Sequence, residues 1–163
     1  MLAVSNTSPI SNLAIIDRLD LLPEQFEKIV IPGAVRRELE ALSHSGARSA
    51  VEAALSAGWL QVQSVEFSPL IRLLSVTLHA GESEAIALGV ETQAAWILLD
   101  EREARMTAQR MRLNITGVLG ILLRAKKTGR LTALRPEIEK LRRKAHFFIS
   151  PELEHQILRT AQE

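Results

Sequence analysis

Four polar residues stand where a strand-and-helix pattern turns: Asn6, Glu38, Glu84 and Asp100. Three are carboxylates and the fourth offers an amide oxygen, so the set presents hard oxygen donors without imidazole or thiolate. Donors of that kind suit Mg2+ or Mn2+. Clustered carboxylates repel one another and need a compensating cation or raised pKa values. A site so built can activate a water and stabilise the leaving oxygen of a phosphodiester. No rival site is visible. The chain has no cysteine, which excludes disulfides, thiolate catalysis and cysteine-bound zinc. His44, His79, His146 and His155 are scattered without metal-ligand spacing and read as surface or capping residues.

The elements that must position the four residues are readable from apolar spacing. Gly81 opens a helix with Glu82 and Glu84 in its first turn, followed by Ala85, Leu88 and Gly89 at helical spacing. After a break at Thr92-Gln93, the run Trp96-Ile97-Leu98-Leu99 suits a strand buried on both faces, and it ends at Asp100-Glu101. In a parallel sheet flanked by helices, the helices begin at the edge where strands end, and ligands bind there. Glu84 and Asp100 are therefore expected on one rim. Leu2-Ala3-Val4 forms another strand ending at Ser5-Asn6, with Ser8 expected as helix N-cap and Pro9 at the first helical position. Lys28–Ile31 is a third, stopped by Pro32-Gly33. Glu38 lies five residues into the next helix, roughly one and a half turns below the rim. Each residue also has a plain alternative. Asn6 serves equally as a turn or cap, Glu38 as a surface charge beside Arg36 and Arg37, Glu84 as a complement to the helix dipole, and Asp100 as a cap.

Between and beyond these elements, residues 47–57 read as a helix, 60–65 as an edge strand and 69–78 as a helix. Residues 101–112 form a helix with Arg102 and Arg105 outward. A short strand at 113–116 leads to an apolar helix opened by Gly117 and ending near Gly129. A basic helix over 136–144 precedes a last helix capped by Ser150-Pro151, with Leu153, Ile157 and Leu158 as its apolar face. Strands near 2–5, 28–31, 95–99 and 113–116, separated by helices, indicate a parallel α/β sandwich.

The 163 residues are enough for one domain with a real core, and 47% hydrophobic with 24% charged residues is ordinary for a soluble globular protein. No basic-then-apolar leader and no membrane-length apolar run is present, so a cytoplasmic protein without membrane contact is expected. The net charge of +1 is unevenly spread. Residues 1–101 carry 6 Lys/Arg against 13 Asp/Glu, whereas residues 102–144 carry 13 against 3. An acidic first part and a basic second part suggest a cation bound in one place and a polyanion in another. Solvated helix faces are the plain alternative.

Five stretches resemble, in order and approximate spacing, a known family. V-S-N-T-S-P at 4–9, I-P-G-A-V-R-R-E-L at 31–39, G-E-S-E-A-I-A-L at 81–88, L-L-D-E-R-E-A-R at 98–105 and I-T-G-V-L-G at 115–120 are similar to a PIN domain. The branch they most resemble is the poorly characterised one of toxin-like (VapC-type) ribonucleases. The resemblance implies a PIN-like three-layer α/β sandwich over residues 1–163, with a central parallel sheet of about five strands and a C-terminal helical extension at about 134–163. It also implies an Mg2+- or Mn2+-dependent endoribonuclease. The family's four acidic positions fall on Asn6, Glu38, Glu84 and Asp100, as catalytic and metal-binding residues. Ser8 matches a supporting position, and Glu82 and Glu101 are neighbours able to act as outer ligands.

The departure is Asn6, where the wider family usually has aspartate. An amide oxygen still ligates a hard cation but adds no charge. The leading expectation is a ribonuclease acting on RNA, the toxin of a toxin–antitoxin pair, with Ser8, Arg102 and Arg105 on the substrate. A small antitoxin protein and a homodimer are the implied partners, with Ile10, Leu13, Leu153, Ile157 and Leu158 as the exposed apolar surface for pairing. The alternative is a catalytically weak or inactive PIN-fold module that binds RNA or a protein.

Overall fold

The computed structural model describes residues 1–66 and 68–163. Five strands, β1 (Leu2–Ser5), β2 (Lys28–Ile31), β3 (Leu60–Val62), β4 (Trp96–Leu98) and β5 (Ile115–Thr116), form one parallel sheet in the order β3-β2-β1-β4-β5. Ten helices alternate with them: α1 (Thr7–Ile15), α2 (Leu21–Gln25), α3 (Gly33–Glu40), α4 (Ser45–Ser56), α5 (Pro69–Leu74), α6 (Ala80–Glu91), α7 (Arg102–Arg110), α8 (Val118–Lys127), α9 (Arg135–Lys144) and α10 (Pro151–Thr160) among the described residues.

Strand side chains alternate between two apolar layers, as the two-residue repeat of a strand requires. Ala3, Ile29, Ile31 and Leu98 enter a large cluster with α1, α4, α8, α9 and α10. Val4 and Val30 face Ala85 and Leu88 of α6 on the other side. Ile97 and Leu99 join Ile86, Ala104 and Ala108 there. A sheet covered on both faces explains why its central strands β1, β2 and β4 read as continuous apolar runs rather than alternating ones. The result is a three-layer α/β sandwich.

Chain order fixes where a ligand goes. From β1 the chain steps outward to β2 and β3, then returns across β1 to β4 and β5. The strand order reverses between β1 and β4, so the crevice at their carboxyl ends is the topological switch point where ligands bind in open α/β sheets.

Several local expectations shift. Helix α1 begins at Thr7 with Asn6 as N-cap, so Ser8 is the second helical residue and its hydroxyl is released from capping. Pro9 still lies in the first turn, where its missing N–H is harmless. Helix α5 ends at Leu74 rather than at 78. The apolar surface expected for pairing is largely absent: Ile10 and Leu13 are 0% exposed, and Ile157 and Leu158 pack into the main core. Helical repeat turns these residues inward, leaving Leu153 exposed on α10. No helix among the described residues is long and apolar enough to cross a membrane.

Candidate metal and phosphodiester site

At the switch point the chain places Asn6 at the end of β1 and Glu101 just beyond β4. Asn6, Thr7, Ser8, Glu38, His79, Glu82 and Glu101 line one open cleft of about 480 Å3. Asn6 is nearly buried, its N–H donates to the Leu98 carbonyl at 3.0 Å, and its Nδ2 donates to Glu101 Oε2 at 3.2 Å. Ser8 Oγ donates to Glu101 Oε1, and Thr7 Oγ1 donates to Glu38 Oε2. The first turn of α1 therefore holds two of the carboxylates.

Helix α6 supplies the third. His79 is its N-cap, and the His79 N–H donates to Glu82 Oε2 at 3.0 Å, so Glu82 folds back over the helix start. Burial holds the Glu82 carboxyl above the ordinary carboxylate range. Glu101 and Glu38 push it the same way, and the His79 hydrogen bond only partly offsets them.

One residue between these groups is Gly81. A Cβ there would lie 2.7 and 2.9 Å from the two Glu38 carboxylate oxygens and 3.0 Å from Asn6 Oδ1. Three acceptor oxygens thus crowd a spot that only a glycine leaves open. Asn6 Oδ1 is moreover buried without a hydrogen-bond partner. Leaving a buried polar atom unpaired costs roughly 1–3 kcal/mol. An orphaned amide oxygen, a convergent carboxylate and an acid raised by burial and then by its acidic neighbours are donors that a divalent cation satisfies together. The residues present fit such an ion. Among the described residues no group of three or more His, Asp or Glu side chains is drawn together tightly enough to enclose one unaided.

The other two expected acids, Glu84 and Asp100, are not in the lining of this cleft. Glu84 Oε2 accepts from the Ala34 N–H at 2.9 Å and caps the start of α3. Two residues along a helix is about 200° of rotation, so Glu82 and Glu84 cannot both face one cleft. Asp100 lies beyond the end of β4 and reaches the same face of α1 as Glu101, one turn further along, at Asn12 rather than Ser8. Its Oδ1 accepts from the Val118 N–H at 2.8 Å and its Oδ2 from Asn12 Nδ2 at 3.3 Å. Burial raises the Asp100 pKa to about 6, assisted by Glu101 and opposed by those two hydrogen bonds and by Arg105. Gly117 allows this approach, since a Cβ there would strike Asp100 Oδ1 and lie 2.8 Å from the Leu99 carbonyl oxygen.

Of the two arginines, Arg105 donates to the Leu99 carbonyl at 2.8 Å beside Asp100, and Arg102 is exposed. The basic segment is partly neutralised within the fold. Lys126 pairs with Glu163, Arg130 with Glu24, Lys140 with Glu137, Arg142 with Glu139 and Glu154, and Lys144 with Asp17. His44 accepts from the Ala47 N–H at 2.9 Å as the cap of α4, in keeping with its plain reading. Thr7 is the site residue that sequence reasoning did not single out. Its signal is its place immediately after the strand-end Asn6.

Sheet order, helical layers and an oxygen-donor cleft at the switch point define the class: a PIN-like α/β fold. A PIN-domain family profile, DUF3368, matches residues 2–163, and the chain belongs to that family. Its fold is a nuclease fold, and its members generally use divalent metal ions. The chain also resembles a solved structure, a PilT N-terminus domain protein from the hyperthermophilic archaeon Sulfolobus solfataricus. Identity is 21% over 74% of this chain and 90% of that one, with a TM-score of 0.52, a likeness of fold alone. No curated protein is similar enough to the chain to count as a relative.

Proposed function

We propose that the chain is an Mg2+- or Mn2+-dependent endoribonuclease of the toxin-like, VapC-type branch, acting in the cytoplasm and restrained by a small antitoxin protein. The observation that carries this reading is the meeting of Glu38 and the orphaned Asn6 Oδ1 over Gly81. Asn6 and Glu38 would hold the ion, with Glu82 and Glu101 beside them as the remaining negative charge. A divalent cation supplies positive charge that polarises a phosphodiester and eases deprotonation of water. Thr7 and Ser8 orient the Glu38 and Glu101 carboxylates by hydrogen bonding, which fixes donor positions before an ion or substrate arrives. Glu82, whose carboxyl is held above the ordinary carboxylate range by burial first and then by Glu101 and Glu38, is the cleft acid we assign to take a proton from water. Glu84 and Asp100 position the helices that carry the site, through the Ala34 and Val118 amides. Arg102 would meet the phosphate backbone.

Residues 1–163 are read as one PIN-like domain whose extension, at about 134–163, packs onto it. An apolar cluster running from Ala3 to Ala161 supports that reading. A homodimer remains part of the proposal, and Leu73, Val76 and the expected Leu153 are among the exposed apolar side chains available for it. RNA cleavage with Mg2+ or Mn2+ against an EDTA control tests the activity. Metal-dependent cleavage that Glu38→Gln abolishes is expected, and cleavage persisting in EDTA would refute it. One observation favours a second reading, a module that binds RNA with little cleavage: the neutral amide of Asn6 occupies a ligand position, which leaves the site one charge poorer.

A further inference from the structure

We propose that the cleft on the far side of Asp100 is a subsite for an unpaired nucleobase of single-stranded RNA, next to the metal site; this rests on the ribonuclease reading. The cleft measures about 340 Å3, and its lining includes Asp100, Arg105, Thr116, Leu119, Phe147 and Phe148. That size falls within the roughly 300–1,000 Å3 of small-ligand sites.

Phe148 is 86% exposed in a chain with only four phenylalanines, two tryptophans and no tyrosine. It has Phe147 beside it, anchored by the bond from the Phe147 N–H to the Leu141 carbonyl at 3.1 Å. An aromatic face held at a cleft mouth offers a base stacking without regard to sequence. The opposite end is polar. Arg105 spends one guanidinium N–H on the Leu99 carbonyl and keeps other donors for a base edge or phosphate.

Position and charge select RNA over other occupants. Asp100 lines this cleft and Glu101 lines the metal cleft. Their Cα atoms are about 3.8 Å apart, so the two clefts share a wall. A strand whose phosphate sits at the metal site would run past the Asp100–Glu101 wall into this cleft, which Phe148 also lines. Arg102, two residues beyond Asp100, and Arg124, one turn beyond the cleft-lining Gly120, form no ion pair among the described residues, and residues 102–144 carry 13 Lys/Arg against 3 Asp/Glu. A polyanion meets complementary charge here.

The test measures binding of labelled oligoadenylate and of an abasic strand of equal length, in EDTA, by wild type, Phe148→Ala and Phe148→Trp. Phe148 is exposed, so its truncation leaves the fold intact. The wild type should prefer the base-bearing strand. Phe148→Ala should bind it roughly 5- to 100-fold more weakly, with the abasic strand unaffected and Phe148→Trp restored. Equal affinity of Phe148→Ala and wild type for oligoadenylate would overturn the proposal. So would a wild type that does not distinguish the strands, or a Phe148→Ala that changes only the oligomeric mass in light scattering. Cleavage that needs Glu38 but ignores Phe148 would leave the nuclease reading standing alone. Base-dependent binding without cleavage would do the reverse.

Discussion

Glu84 and Ala34 are joined by a hydrogen bond of 2.9 Å, from the Ala34 N–H to Glu84 Oε2, which ties the second turn of α6 to the first turn of α3. Ala34 is one turn before Glu38 on the same helical face. We propose that Glu84, which the family resemblance places among the metal ligands, acts on the site through the backbone that carries Glu38.

Glu84→Ala should therefore behave as the loss of a helix cap. A cost of about 1 kcal/mol is expected, seen as a fall in Tm of roughly 2–4 °C. Glu84→Gln keeps an acceptor oxygen and should recover most of it. Thermal melts and metal titrations of both variants decide the matter. Abolished metal binding in Glu84→Gln at an unchanged Tm would make Glu84 a ligand instead.

Gly81→Ala separates stability from metal affinity. Alanine favours a helix by up to about 1 kcal/mol over glycine. The added Cβ would nonetheless sit 2.7 Å from Glu38 Oε1 and 3.0 Å from Asn6 Oδ1, forcing both side chains to move. Tm in EDTA should hold or rise while Mn2+ affinity falls. If affinity holds as well, the oxygens over Gly81 are not the ion's seat.

Asp100 predicts a pH dependence. Its folded pKa of about 6 lies above the unfolded value near 3.9. The stability it contributes is fully present below the unfolded value and is lost as pH rises through about 6. In EDTA, Asp100→Asn should gain stability relative to wild type between pH 4 and pH 7, on the order of 2 kcal/mol. Chemical denaturation across that range measures it. A difference that does not vary with pH would contradict the buried, ionisable arrangement with Val118 and Asn12.

The sheet was legible because its central strands β1, β2 and β4 are apolar on both faces. The runs at 2–5 and 28–31 match β1 and β2 residue for residue, and β3 keeps the edge position its alternating pattern indicated. The site was legible as a rim but not as a set of side-chain directions. Reading Gly81 as the opening of α6 leaves Glu82 and Glu84 equally placed in the first turn, yet the helix starts at Ala80 with His79 as cap. That phase puts Glu82 at the third helical position, where a side chain folds back over the helix start, and turns Glu84 toward α3. Asp100 and Glu101 pose the same problem just beyond a strand end, where both carboxylates reach α1 but at residues one turn apart. Such choices depend on neighbours distant in sequence: Ser8 draws Glu101, and Asn12 and Val118 draw Asp100. The exposed Phe148 carried no periodic signal at all.

The fold's principal internal ion pair makes a separate prediction. Glu137 is buried, and burial pushes its carboxyl up. Hydrogen bonds from Arg18 and Lys140 outweigh that, and the net pKa is lowered. The stability is therefore present above the unfolded carboxylate pKa and lost as pH falls through the folded one. Arg18→Ala should destabilise by up to about 3 kcal/mol at neutral pH, because a buried charge loses its bidentate partner. The loss should shrink in acid, as followed by urea unfolding. An Arg18→Ala protein as stable as wild type would show that Lys140 suffices.

Calorimetric titration of Mn2+ into wild type, Asn6→Ala and Asn6→Asp tests the central claim most directly. Asn6 Oδ1 is buried and unpaired 3.0 Å from where a Gly81 Cβ would be, with the Glu38 carboxylate at the same point. The account predicts that Asn6→Ala weakens Mn2+ binding by about tenfold or more, and that Asn6→Asp tightens it by adding a charge beside the ion. Wild-type affinity in Asn6→Ala would contradict it and leave Asn6 as nothing more than the cap of α1.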